Sequence, residues 1–93
     1  MSDILDELFA VIKERQATPT PNSYTARLLA AGEDEVLKKV GEEAMEVILA
    51  GKGQSDARVI SEVADLFYHL FVLLVARGLS LDDVRAELRQ RRR

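Results

Sequence analysis

Two acidic motifs, Glu43-Ala44-Met45-Glu46 and Glu62-Val63-Ala64-Asp65, hold the residues whose types and spacing best suit them to chemistry. Each contains an i, i+3 carboxylate pair, which on a helix shares one face with β-carbons about 5–6 Å apart. If the two motifs lie on consecutive antiparallel helices joined by a short loop, four carboxylates converge. Two carboxylates about 4 Å apart repel by roughly 4 kcal/mol at an effective dielectric of about 20, and protonation or a cation relieves this. Oxygen-only ligation suits Mg²⁺, or Mn²⁺, and Mg²⁺ commonly bridges a few carboxylates to substrate phosphates. The chemistry expected is attack of water on a phosphoanhydride, with the cation neutralising developing charge and one carboxylate accepting the proton.

The competing reading is a solvated acidic face. It fits the first motif, because Glu35, Lys39, Glu42 and Glu46 fall away from an apolar stripe of Val36, Leu37, Val40, Ala44, Val47 and Ile48. It fits the second poorly. At 100° per residue, Glu62 and Asp65 continue into Leu66, Val72, Leu73 and Ala76, while Ile60, Val63, Ala64, Phe67, Phe71 and Leu74 fill the opposite side. A helix apolar nearly all round is buried by neighbours or by a second subunit, so carboxylates on it need a partner.

The elements that must position these groups are helices. Ile4, Leu5, Leu8, Phe9, Val11 and Ile12 predict a first helix from about Asp3 to Arg15, with Ser2 as its cap. Pro19 and Pro21 stop it, and a short helix from Tyr24 to about Ala30 closes at Gly32. Asp34 is expected to cap a third helix, from about Glu35 to Ala50, that ends near Gly51 and Gly53. A fourth runs from about Asp56 to Arg77 and stops at Gly78. Ser80 and Asp83 read as a capping box opening a last helix that closes on Arg89, Arg91, Arg92 and Arg93. No segment reads as a strand. The fold expected is all-α: a single domain over residues 1–93, a small bundle of about five helices with two central antiparallel helices carrying the acidic site.

Composition narrows the partners. A chain of 93 residues buries a modest share of its surface alone, so self-association is expected. With 47% hydrophobic but 5% aromatic residues, the core must be aliphatic. A net charge of −3 argues against nucleic acid as a partner. No cysteine is present, which excludes disulfides and thiolate metal sites and fits a cytoplasmic compartment. The acidic start, Met1 to Glu7, is unlike a leader, and the apolar run from Leu66 to Ala76 falls short of the roughly 20 residues of a membrane span.

The paired spacing E-x-x-E and E-x-x-D resembles the metal signature of the all-α nucleotide pyrophosphatases, which include MazG-type and dimeric dUTPase-type enzymes. Read with Ser23-Tyr24-Thr25-Ala26-Arg27-Leu28-Leu29, Lys38-Lys39-Val40-Gly41-Glu42-Glu43-Ala44, Ala64 to Leu70 and Arg77 to Val84, the chain resembles phosphoribosyl-ATP pyrophosphatases over nearly its whole length. The resemblance implies an Mg²⁺-dependent helical homo-oligomer, a homodimer or higher, that hydrolyses phosphoribosyl-ATP to phosphoribosyl-AMP and pyrophosphate, the second step of histidine biosynthesis. Carried onto matching positions, it makes Glu43, Glu46, Glu62 and Asp65 metal ligands and catalytic residues, with Glu42 joining them or positioning water. Ser61 stands where relatives often carry a further acid. The cyclohydrolase domain fused to this activity in some organisms, whose ligands include cysteine, is not expected.

Six more residues are candidates for substrate contact. Ser23, Tyr24, Thr25 and Arg27 begin a helix, where free N–H groups and short hydroxyls can hold a phosphate. Simple capping by Asn22 or Ser23, with Tyr24 packed on the core, is the alternative; the resemblance favours substrate contact. Lys38 and Lys39 lie one turn before the first motif, Lys39 on the stripe of Glu43 and Glu46, where it could instead form an i, i+4 pair with Glu43. His69, one turn beyond Asp65, reads as a hydrogen-bonded core residue and not a ligand. Two other functions fit the pattern: a house-cleaning nucleoside triphosphate pyrophosphatase, and a non-catalytic helical interaction module.

Overall fold

The computed structural model describes residues 3–92. Five helices and no strand occur among them: α1 (Ile4–Ala17), α2 (Tyr24–Ala31), α3 (Glu33–Gly53), α4 (Asp56–Ala76) and α5 (Leu81–Gln90). The expected all-α bundle is therefore present, with helix ends shifted by up to three residues.

Local chemistry explains the starts and stops. Asp3 caps α1 in a reciprocal box with Asp6, so the expected cap is displaced from Ser2, which lies outside the described residues. Ser23 caps α2 and Ser55 caps α4, each hydroxyl accepting a backbone N–H three residues on. Asp34 does not cap α3. Gly32, at φ 105°, is the cap residue and offers no side chain, while Glu33, Asp34 and Glu35 occupy the first turn, where the helix dipole favours negative charge. After α4, Gly78 at φ 72° allows Leu79 N–H to reach Leu74 C=O and Gly78 N–H to reach Val75 C=O, the double closure that ends a helix sharply. Ser80 and Asp83 form the expected box at the start of α5.

α3 and α4 are the long pair, joined by Gln54 and Ser55 alone. They run antiparallel: Val36, early in α3, shares the core with Val72, late in α4, whereas Glu43, further along α3, meets Glu62 and Asp65, earlier in α4. The core gathers Phe9 and Ile12 of α1, Leu28 of α2, Val36 of α3 and Phe71, Val72 and Val75 of α4. Phe9 and Phe71 meet edge to face at 5.6 Å. Two polar ties lock this end, Gln16 Nε2 donating to Val75 C=O and Arg77 pairing with Glu33. α5 is tied to α1 by Arg85, which bridges Asp6 at 3.0 Å and Asp82 at 2.9 Å.

The apolar stripe of α3 is only partly covered. Val36 is buried and Val40, Ala44 and Val47 are half-buried, but Leu37 and Ile48 are exposed, Ile48 at 62%. α4 likewise shows Ile60 and Phe67 to solvent. Being 21 residues with a mean hydropathy of 1.9, α4 is also long and apolar enough by composition to span a membrane, further than the Leu66–Ala76 run suggests. Its packing against α1, α2 and α3 and the buried Glu62 within it fit a core helix.

Candidate functional site

The core fixes the register of α3 against α4, and that register brings the two acidic motifs face to face. Glu42, Glu43, Glu46, Glu62, Asp65 and Met45 line an open cleft of about 580 Å³ between the helices. Within it, Glu43, Glu62 and Asp65 each place a carboxylate oxygen within 4.8 Å of the other two. Glu42 and Glu46 line the same cleft outside this close group, so the four expected ligands divide into three that converge and one, Glu46, that stands beside them.

The three differ in setting. Glu62 is buried, Glu43 half-buried and Asp65 exposed to the cleft. Glu62 is not bare: Arg58, one turn earlier on α4, places Nη2 2.8 Å from its Oε1. Arg58 was not among the residues singled out from the sequence, although its i, i+4 spacing from Glu62 is the arrangement by which opposite charges meet on a helix. Lys39 is the other cation nearby. It pairs with Glu42 at 3.4 Å and not, as the i, i+4 alternative had it, with Glu43. The hydrogen bond to Glu42, with smaller contributions from the fields of Tyr24, Glu42 and Glu43, raises the Lys39 ammonium above its ordinary pKa, so it stays charged at neutral pH.

Five carboxylates line the cleft against these two cations, an excess of three negative charges. Oxygen donors at this spacing and sign suit a hard divalent cation, and no sulfur or imidazole enters the close group.

The start of α2 packs beside the same stretch of α4. Thr25 Oγ1 hydrogen-bonds Tyr68 Oη, and the Tyr24 hydroxyl lies 3.3 Å from His69 Nε2. His69 is buried, as expected, and its Nδ1 is 2.8 Å from the backbone carbonyl of Asp65, not its carboxylate. A carbonyl only accepts, so Nδ1 carries hydrogen; in the neutral ring Nε2 then accepts from Tyr24. These contacts tie the α2 N-terminus to the turn of α4 that presents Asp65. The Ser23 hydroxyl accepts Ala26 N–H as the cap. Burial raises the Tyr68 phenol above its ordinary pKa, the bond to Thr25 opposing this in part.

Arg27 and Lys38 are not drawn into this cluster. Both are exposed, neither lines the cleft, and Lys38 faces Glu35 at 3.9 Å. At the far end, Arg91 pairs with Glu87 at 2.8 Å; Arg93 lies outside the described residues.

Known proteins resemble this chain over nearly its whole length. A family model described as phosphoribosyl-ATP pyrophosphohydrolase matches residues 5–92. A phosphoribosyl-ATP pyrophosphatase from Trichlorobacter lovleyi is 54% identical over 95% of this chain and 82% of its own length. One from Metallosphaera sedula is 50% identical over 98% of both chains. The histidine biosynthesis bifunctional protein HisIE of Gloeobacter violaceus is 51% identical over 99% of this chain but only 41% of its own length. A match that runs through both acidic motifs and all five helices leaves one conclusion: the chain belongs to the phosphoribosyl-ATP pyrophosphohydrolase family.

Proposed function

We propose that the cleft between α3 and α4 is the centre at which this protein hydrolyses phosphoribosyl-ATP to phosphoribosyl-AMP and pyrophosphate, with Mg²⁺ as its cation and Mn²⁺ as a substitute. The observation that carries this is the convergence of Glu43, Glu62 and Asp65 within 4.8 Å in an open cleft. When bound, the cation would supply charge neutralisation for the polyphosphate and its leaving group.

The protein's own residues supply the rest. Glu43, Glu62 and Asp65 would hold the cation. Glu42 and Glu46, which line the same cleft, would orient the attacking water and take its proton, giving five catalytic carboxylates in all. Lys39 can leave Glu42 for an incoming phosphate, since that pair is solvent-facing. Tyr24 and Thr25, anchored on His69 and Tyr68, would meet the nucleotide from the start of α2. The N-cap Ser23, with the exposed Arg27 and Lys38, would contact the substrate's outer groups.

The active form is a homodimer working in the cytoplasm. An apolar groove of about 340 Å³ between α1, α4 and α5, with Phe67 and Leu88 exposed at it, supports a second copy as its cover.

The test is pyrophosphate release from phosphoribosyl-ATP and from a panel of deoxynucleoside triphosphates, each with Mg²⁺ and with EDTA. Mg²⁺-dependent release confined to phosphoribosyl-ATP is expected. Preference for the deoxynucleotides would keep the metal centre but assign it to nucleotide-pool cleaning, and no release from any substrate would overturn the reading.

A further inference from the structure

Glu62 is the one buried carboxylate of the cleft, at 6% exposure, and a buried carboxylate is costly unless it is paired. Its counter-ion is Arg58. The guanidinium gives Nη2 to Glu62 Oε1 at 2.8 Å and Nε to Gln54 Oε1 at 3.2 Å, while the side chain as a whole is 52% exposed. Glu43 and Asp65, the other two members of the close group, form no ion pair among the described residues. Of the three close carboxylates, the ion pair therefore falls on the one that is hardest to leave bare.

From this we infer that Arg58 is a competing counter-ion: it neutralises the buried Glu62, and its positive charge opposes a divalent cation at the same carboxylate. The inference rests on the reading of Glu43, Glu62 and Asp65 as the cation site. Arg58 and a divalent cation draw on the same carboxylate, and like charges at this range repel. Release of Arg58 is feasible because half of its side chain already faces water, and its bond to Gln54 is independent of Glu62. Arg58 thus stabilises the acidic cleft and weakens its grip on a divalent cation. It is a positioning residue for Glu62 and needs no contact with substrate.

The experiment titrates Mn²⁺ into the full chain without nucleotide, reading free Mn²⁺ by electron paramagnetic resonance, with Mg²⁺ followed by competition. Arg58→Gln should bind Mn²⁺ roughly three- to tenfold more tightly, the effect of removing one positive charge about 5 Å from a divalent ion in a largely aqueous setting. Arg58→Lys, which keeps the charge, should stay within about twofold of the unaltered protein by the same charge argument. In EDTA, Arg58→Gln should melt at a lower temperature than the unaltered chain, and excess Mg²⁺ should close that gap. Unchanged or weaker Mn²⁺ binding by Arg58→Gln, beside an unaltered protein that binds the ion, would overturn the inference and leave the cation site standing. An unaltered protein that binds no Mn²⁺ would overturn both.

Discussion

At the scale of single residues, the cleft asks different things of two acids that the sequence presents as equivalent. Asp65 is exposed and forms no ion pair among the described residues, whereas Glu62 is buried against Arg58. Both Asp65→Asn and Glu62→Gln should lower turnover by more than about a hundredfold, beyond the ten- to hundredfold that loss of an outer-shell partner costs. Their metal-free stabilities should diverge. Asp65→Asn removes repulsion from Glu43 and Glu62 and should raise the melting temperature in EDTA by about 2–6 °C, while Glu62→Gln loses an ion pair and should not. Circular dichroism melts in EDTA would check this; equal shifts in both variants would show that Arg58 does not stabilise Glu62. The i, i+3 spacing made the acids legible from the sequence. Arg58 was open to the same reading at i, i+4, but only the fold shows that Glu62, and not its neighbours, is the buried member. The Tyr24–His69 and Thr25–Tyr68 contacts join residues 45 and 43 positions apart, beyond the reach of any helical period.

At the scale of elements, the helices were legible because their starts and stops are written in short-range chemistry. Gly78 and the Ser80–Asp83 box behave as their residue types dictate. Asp34 does not, because the chain leaves α2 through Gly32 at positive φ and enters α3 at Glu33, two residues earlier than a helix capped by Asp34 would begin. Ser80→Ala should cost about 1 kcal/mol, as loss of a cap does, read as a shift in denaturation midpoint. α5 offers a pH test. Hydrogen bonding to Arg85 holds the Asp6 carboxyl below its usual pKa, and Arg85 is raised, first by its bond to Asp82 and then by its bond to Asp6. A depressed folded-state pKa stabilises the fold above the ordinary carboxylate value, near pH 4, and that contribution is lost as pH falls through the folded value. Arg85→Ala should therefore lower the melting temperature at pH 7, by an amount that shrinks as the pH is taken well below 4.

At the scale of the whole molecule, one copy leaves apolar surface that its polar residues do not cover. Phe67, Leu79, Val84 and Leu88 are exposed on and around α4 and α5, and Leu37, Ile48 and Leu49 on α3. Periodicity placed these residues on apolar faces, but periodicity does not say whether a face is covered by the same chain or by another. Phe67→Asp, in the groove between α1, α4 and α5, should turn a dimer into a monomer in sedimentation velocity at micromolar concentration while the helical content persists. An unaltered protein that sediments as a monomer would remove the dimer from the account.

The central claim is that Glu43, Glu62 and Asp65 together hold the divalent cation of this enzyme. Crystals soaked in Mn²⁺ test it directly, through the anomalous difference map. The expected result is a peak between α3 and α4 bonded to oxygens of all three residues. A peak elsewhere, or none in crystals of a protein that turns over in the same Mn²⁺ solution, would contradict it.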